Sequence, residues 1–335
     1  LDAMDYMMDL TKDNDKGIVN FCLNYGSHAE LTDAMRDALQ KYPVGGVCQF
    51  GKNIVDPEQI TAFNAALQEA SDIPLFISVD EEGGAVARLA NHPAFDLPQY
   101  ESAAAVGASG DPADACAMGQ TIGAYLKEYG FNMDFAPDAD VNTNPDNPII
   151  GTRAFSSDAA EAADCAAAMA RGLAGEGILP TFKHFPGHGD TAEDSHTALA
   201  VTYKTLDELQ ACELLPFAAD TGLHAVMVGH IAAPNVTGDG TPATLSPQLV
   251  ALIPDAENTL IVTDSLAMDA ITAAYTPGEA AVQALQAGCD VLLMPNSLPE
   301  AYAAVLEAVQ NGTISEERLD RSVNKILLYK QQFAS

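Results

Sequence analysis

The sequence predicts an α/β protein folded as one domain, a (β/α)8 TIM barrel spanning residues 1–335. Three observations predict it. Eight short apolar runs are separated by longer stretches with helical spacing. The runs are near-continuously apolar, as in strands buried on both faces of a parallel sheet. Polar residues gather just after the runs, on the side where barrel active sites form. The length is sufficient, since a single barrel takes about 250 residues, and no composition break, short repeat or linker divides the chain. A doubly wound open sheet is the main competitor, but no GxGxxG follows the first run.

In chain order, the predicted strands are Ile18–Tyr25, Gly45–Phe50, Pro74–Asp80, Asn132–Asp138, Pro180–Phe185, His224–His230, Thr259–Leu266 and Val291–Met294. Helices Glu30–Lys41 and Pro57–Ala70 follow the first two. Asp111–Tyr129 and Ala159–Glu176 are Ala-rich with apolar spacing near the helical repeat, and Thr205–Ala219 and Pro277–Ala287 precede the seventh and eighth strands. Leu298–Gln310 and Ser315–Gln331 close the chain. Two connections are long, Glu81 to Gly110 and Gly187 to Leu206. Loops beyond about 12–15 residues in a compact domain are usually functional.

Fifteen Lys and Arg against 47 Asp and Glu give a net charge of −32. That balance excludes an ordinary nucleic-acid binder, which needs cations to neutralise phosphates, and it disfavours an anionic membrane surface. No apolar run approaches the roughly 20 residues of a membrane-spanning helix, and no basic, hydrophobic leader is present. The start at Leu1 points to a processed N-terminus, and with the acidic, lysine-poor composition it favours export over a cytoplasmic location. The six cysteines are scattered without a CxxC, and Cys22, Cys48 and Cys289 lie in apolar runs, which predicts buried free thiols. A monomer is the default expectation.

Strand three ends at Asp80 and runs into Glu81 and Glu82, strand four at Asp138 and Asp140, strand five at Lys183 and His184. Strand six ends at His230, strand seven at Asp264, and strand eight at Asn296. For any one of these the plain alternative is a solvated strand end or a cap on the next helix. Six strands ending this way describe a catalytic mouth. Three of the seven histidines (His184, His188, His196) fall in Lys183–His196, where Gly187 and Gly189 allow unusual backbone angles. In an extended stretch Asp194 and His196 point the same way. A carboxylate beside an imidazole orients it and favours its protonated form, which makes a good acid near neutral pH. Zn²⁺ ligation by this loop is an alternative, but the spacing matches no common zinc pattern, and no metal or cofactor is expected. Asp264, at the end of the seventh strand, is either a helix N-cap or a nucleophile. With a His-bearing loop facing it, it makes a pair suited to double displacement at a sugar carbon.

These residues resemble glycoside hydrolase family 3, and within it the bacterial β-N-acetylglucosaminidases built on a single barrel. The matching segments are GGVCQFGKNI (Gly45–Ile54), ISVDEEGGAVARL (Ile77–Leu89), FAPDADVNTNPDNPIIGTRAF (Phe135–Phe155), KHFPGHGDTAEDSH (Lys183–His196), MVGHI (Met227–Ile231), TDSLAMDAI (Thr263–Ile271) and AGCDVLLMP (Ala287–Pro295). The resemblance implies a retaining exo-β-N-acetylglucosaminidase acting on small glycans, from peptidoglycan or chitin. It implies Asp264 as nucleophile, His196 as general acid/base tuned by Asp194, and Asp80, Arg88, Arg153, Lys183 and His184 as holders of the sugar hydroxyls. His230 and Met268 are expected to line the same pocket. The chain departs from the family's DQEGGR with Glu81 in place of Gln and Ala85 in place of Arg, and Leu10–Tyr25 matches poorly. These departures are expected to affect the outer pocket and not the catalytic set. Phosphorolysis, action on another β-glycoside, a non-catalytic carbohydrate-binding barrel and a metal-dependent hydrolase are the competing readings.

Overall fold

The computed structural model describes residues 20–192, 199–219 and 221–334. The barrel strands are β1 (Phe21–Leu23), β2 (Gly46–Gln49), β3 (Phe76–Val79), β4 (Met133–Asp134), β5 (Leu179–Phe185), β6 (Ala225–Val228), β7 (Leu260–Thr263) and β8 (Leu292–Leu293). They lie in the order β7-β6-β5-β4-β3-β2-β1-β8. Every neighbouring pair is parallel, and a parallel bridge between Val262 and Val291 brings β7 against β8. This order puts β3 and β7 on opposite sides of the barrel.

Successive strand residues point to opposite faces, and the two faces fill two cores. Cys22, Cys48, Phe76, Met133, Leu179, Met227, Leu260, Val262 and Leu293 belong to an inner cluster. Val47, Ile77, Val79, Phe182, Val226, Val228, Ile261 and Leu292 pack outward with the helices. Burial on both faces is why the runs read as continuously apolar.

The longer helices are α1 (Asp33–Lys41), α2 (Pro57–Glu69), α3 (Pro112–Glu128), α4 (Ala159–Gly175), α5 (Leu206–Ala211), α6 (Pro277–Ala287), α7 (Leu298–Gln310) and α8 (Glu316–Phe333). Their starts carry the expected caps: Asp56, Asp111 and Asp158 accept from the first turns of α2, α3 and α4. Thr276 and Glu279 form a reciprocal box on α6. Helix α8 contributes Ile326, Tyr329 and Phe333 to the inner cluster. The Lys330 ammonium, fully buried, donates to the carbonyls of Gly45 and Pro74.

The ladders are shorter than the apolar runs, because pairing stops where the strand ends turn into the rim loops. Residues Ile18 and Val19 fall outside the described residues. The predicted helix Thr205–Ala219 shrinks to α5 plus a 3-10 turn at Pro216–Ala218, and it leads into β6, not β7. Short turns such as Pro234–Thr237 and Pro247–Val250 fill the β6–β7 connection. The 81–110 connection is not bare loop: Glu81–Gly83 pairs antiparallel with Val86–Ala87, and Ala103–Gly107 is helical. All six cysteines are free thiols, with Cys22, Cys48, Cys165 and Cys289 buried. No helix among the described residues is long and apolar enough to cross a membrane.

Candidate active site

Strand parity aims the rim. In β3, Phe76 faces the inner cluster, so Asp80, four residues on, continues the inward parity. The same count from Leu179 places Lys183 inward, and from Leu260 it places Asp264 inward. Asp80 and Asp264 therefore enter the mouth from opposite walls.

On the β3–β5 side the charged groups form one continuous array. Lys183 Nζ reaches Asp80 Oδ1 at 2.7 Å and Glu82 Oε1 at 2.5 Å. Arg153 grips Glu82 with two parallel bonds, Nε to Oε2 at 2.8 Å and Nη2 to Oε1 at 2.7 Å, the fork geometry that makes Arg–carboxylate pairs strong. Its Nη2 also lies 3.4 Å from Asp138 Oδ2 and 3.5 Å from His184 Nε2. Arg88, on the wider part of the mouth, pairs with Asp80 Oδ2 at 3.2 Å and lies over the Phe50 ring. Asp140 closes the array: its Oδ2 accepts from His184 Nδ1 at 2.7 Å and its Oδ1 from the His188 backbone at 2.5 Å.

The pKa shifts follow this wiring. Burial opposes charge on Asp80 and Glu82, yet the neighbouring cations hold both below the ordinary carboxylate range, Lys183 and Arg88 for Asp80, Arg153 and Lys183 for Glu82. Burial works against the His184 imidazolium, and Asp140 outweighs it and raises the pKa. Asp138 is pushed up to about 7 by burial and by the Asp140 charge beside it. His188 is lowered by burial and by the His184 charge, against the upward pull of Asp140 and Asp264.

On the opposite wall, Asp264 Oδ1 accepts from the Ser265 backbone at 2.7 Å. It is not a helix N-cap, because the following helix, Asp269–Thr272, starts from Met268. Asp264 and Met268 are both partly exposed. His230 is completely buried, its Nε2 donating to the Ser265 carbonyl at 2.8 Å and its Nδ1 paired with Thr244 Oγ1 at 2.7 Å. Its parity along β6 is outward, and the ring braces the segment after Asp264. Asp194 and His196 lie outside the described residues.

Glu81, placed by the sequence reading in the outer pocket, is fully buried on the outward parity of β3. It accepts from the Leu89 and Ala90 backbone and from Tyr125 Oη of α3, all at 2.8–2.9 Å. Two groups without an expected role, Glu82 and Asp140, turn out to organise the array. Both were visible as acids just past strand ends.

Asp138, Asp140 and His184 each offer a ligand atom, all within 4.8 Å of one another. His184 Nδ1 is bonded to Asp140 Oδ2, while Asp138 Oδ2 has no hydrogen-bond partner among the described residues and lies 3.4 Å from the Arg153 guanidinium. A cation there would face a fixed positive charge, so the trio suits a hydrogen-bonded network better than a divalent ion.

The sequence model of the glycosyl hydrolase family 3 N terminal domain matches residues 17–328. The chain is 32% identical to the beta-hexosaminidase A of Pseudoalteromonas piscicida, over 90% of this chain and 55% of that protein. It is 35% identical to the beta-hexosaminidase of Stenotrophomonas maltophilia, over 87% of each. The structure of a family 3 beta-N-acetylglucosaminidase from Paenibacillus sp. superposes with a TM-score of 0.89 at 38% identity, covering 95% of this chain and 62% of that one. The chain thus spans little more than half of some relatives and most of others.

Proposed function

The chain belongs to glycosyl hydrolase family 3, and we propose that it is a retaining exo-β-N-acetylglucosaminidase. It would remove terminal, non-reducing β-linked N-acetylglucosamine from peptidoglycan-derived or chitin-type saccharides. The observation that carries this reading is the two-sided mouth: an inward carboxylate at the end of β7 stands opposite a buried charged array on β3–β5. Hydroxyl groups of one sugar suit that array. Asp80 accepts, His184 accepts or donates, and Lys183, Arg153 and Arg88 donate. Because these groups already fix one another, they need little reordering when a ligand arrives.

In this reading Asp264 attacks the anomeric carbon and forms a glycosyl-enzyme as the leaving oxygen takes a proton from His196. The same imidazole then draws a proton from water, which attacks that carbon and releases Asp264, so configuration is retained after two inversions. Asp194 would hold the imidazole and favour its charged form. The names of the relatives support the N-acetylhexosamine specificity.

The test is the anomer formed first, followed by proton NMR on an aryl N-acetyl-β-glucosaminide. Free sugar that is β at the earliest times is the expected result. An α first product would refute double displacement, and a sugar 1-phosphate appearing in phosphate buffer would assign phosphorolysis instead.

A further inference from the structure

Residues 187–192 leave β5 against the connection that follows β4. Gly189 is pressed so close that a Cβ there would lie 1.9 Å from the Val141 carbonyl oxygen, and its own carbonyl accepts from the Asn144 backbone at 3.1 Å. At the centre of this contact is the Asn147 side chain, only 7% exposed. Its Nδ2 donates to the carbonyls of His188 at 2.8 Å and Thr191 at 3.0 Å. Its Oδ1 accepts from the Ile149 backbone at 2.9 Å and the Ile150 backbone at 2.8 Å. Both amide hydrogens and both oxygen lone pairs are used, which is all that a primary amide can offer. The chain just after the short strand Ala200–Val201 is tied to the same place: Thr202 Oγ1 donates to Asp190 Oδ2 at 3.3 Å, and Lys204 Nζ lies 3.4 Å from Asp190 Oδ1.

We propose that Asn147 is a positioning residue for the acid/base of the reaction. It fixes His188 and Thr191, from which the chain runs on to His196, and so sets where that imidazole's supporting segment begins. The inference rests on the reading of His196 as acid/base. Asn147 itself touches neither substrate nor reacting atoms. Proton transfer requires a donor within hydrogen-bond reach of the leaving oxygen, so a shift at this anchor weakens proton delivery without changing how the sugar is held.

The test compares two substrates with Asn147→Asp. This substitution keeps an acceptor for Ile149 and Ile150 but turns a second oxygen toward two carbonyls. N,N′-diacetylchitobiose needs its leaving oxygen protonated, and a 2,4-dinitrophenyl N-acetyl-β-glucosaminide scarcely does. The expected result is a fall in kcat/KM on chitobiose of about 10–100-fold, the scale of a misplacement near 1 Å, with kcat/KM on the dinitrophenyl substrate held, because that ratio reports glycosyl-enzyme formation and not the later attack of water. An equal loss of kcat/KM on both substrates, or no loss on chitobiose, overturns the proposal. Should Asn147→Asp fail to fold, Asn147→Ser, which retains one donor, carries the same comparison. His196→Ala run in parallel separates the two ideas. If it shows the leaving-group selectivity and Asn147→Asp does not, the anchor alone is wrong. If His196→Ala lacks it, the acid/base reading and the anchor fall together.

Discussion

Glu82→Ala is the perturbation whose size follows most directly from the structure. Glu82 is 2% exposed and is held by two bonds from Arg153 and one from Lys183. Its removal leaves two largely buried cations whose remaining ion-pair partners among the described residues are Asp80 and Asp138. Removing one partner of a buried ion pair costs about 3–5 kcal/mol. Unfolding entropy of about 2.1 cal/mol/K per residue gives about 0.7 kcal/mol/K for 335 residues. The melting temperature should therefore fall by about 4–7 °C, read by calorimetry. KM should rise as well, because Arg153 and Lys183 lose the group that aims them. The array is buried, so the loss should persist at about 1 M salt, where exposed charges are screened. A fall below about 1 °C, or one abolished by salt, would refute the claim that Glu82 neutralises a buried pair.

Lys330 gives a pH-dependent counterpart. Burial lowers its pKa to about 7 from 10.5, so between those values the unfolded chain binds more protons and wild-type stability rises with pH. Lys330→Met lacks this titration. Its stability relative to wild type should be greatest below pH 7 and decline by at most about 5 kcal/mol toward pH 10, measured by denaturant unfolding; a pH-independent difference would contradict the assignment. Gly189→Ala should lower both melting temperature and activity, since its new Cβ would overlap the Val141 carbonyl, whereas Gly175→Ala, with open space around it, should leave both in place. Equal behaviour of the two variants would show that the close approach at 189 has no consequence.

Much of the barrel was legible because burial on both strand faces leaves an unbroken apolar run, and Asp or Thr before a Pro or an Ala run marks the helix starts. Strand ends were less legible, because apolar residues continue past the ladder, as at Phe50 after Gln49. The site was legible as residue types at strand ends, but their directions required parity. Counting by two from Phe76 and Leu260 would have aimed Asp80 and Asp264 inward, Glu81 outward, and, from Ala225, His230 outward. Asn147 carried only a local turn signal, its bonds from the Ile149 and Ile150 backbone; its bonds to the His188 and Thr191 carbonyls join residues brought together by the packing of two rim connections. Asp140 was visible as an acid, but its hold on His184 and on the His188 backbone depends on how β4 and β5 end side by side.

The central claim is that Asp264 bonds covalently to the sugar. Brief reaction with a fluorinated, activated N-acetylglucosaminyl donor that slows the second displacement, followed by intact-mass and peptide mass spectrometry, tests it directly. One added glycosyl mass on the peptide carrying Asp264, absent in Asp264→Ala, is the predicted result. An unmodified enzyme that still turns over the donor, or a label on another residue, would contradict it.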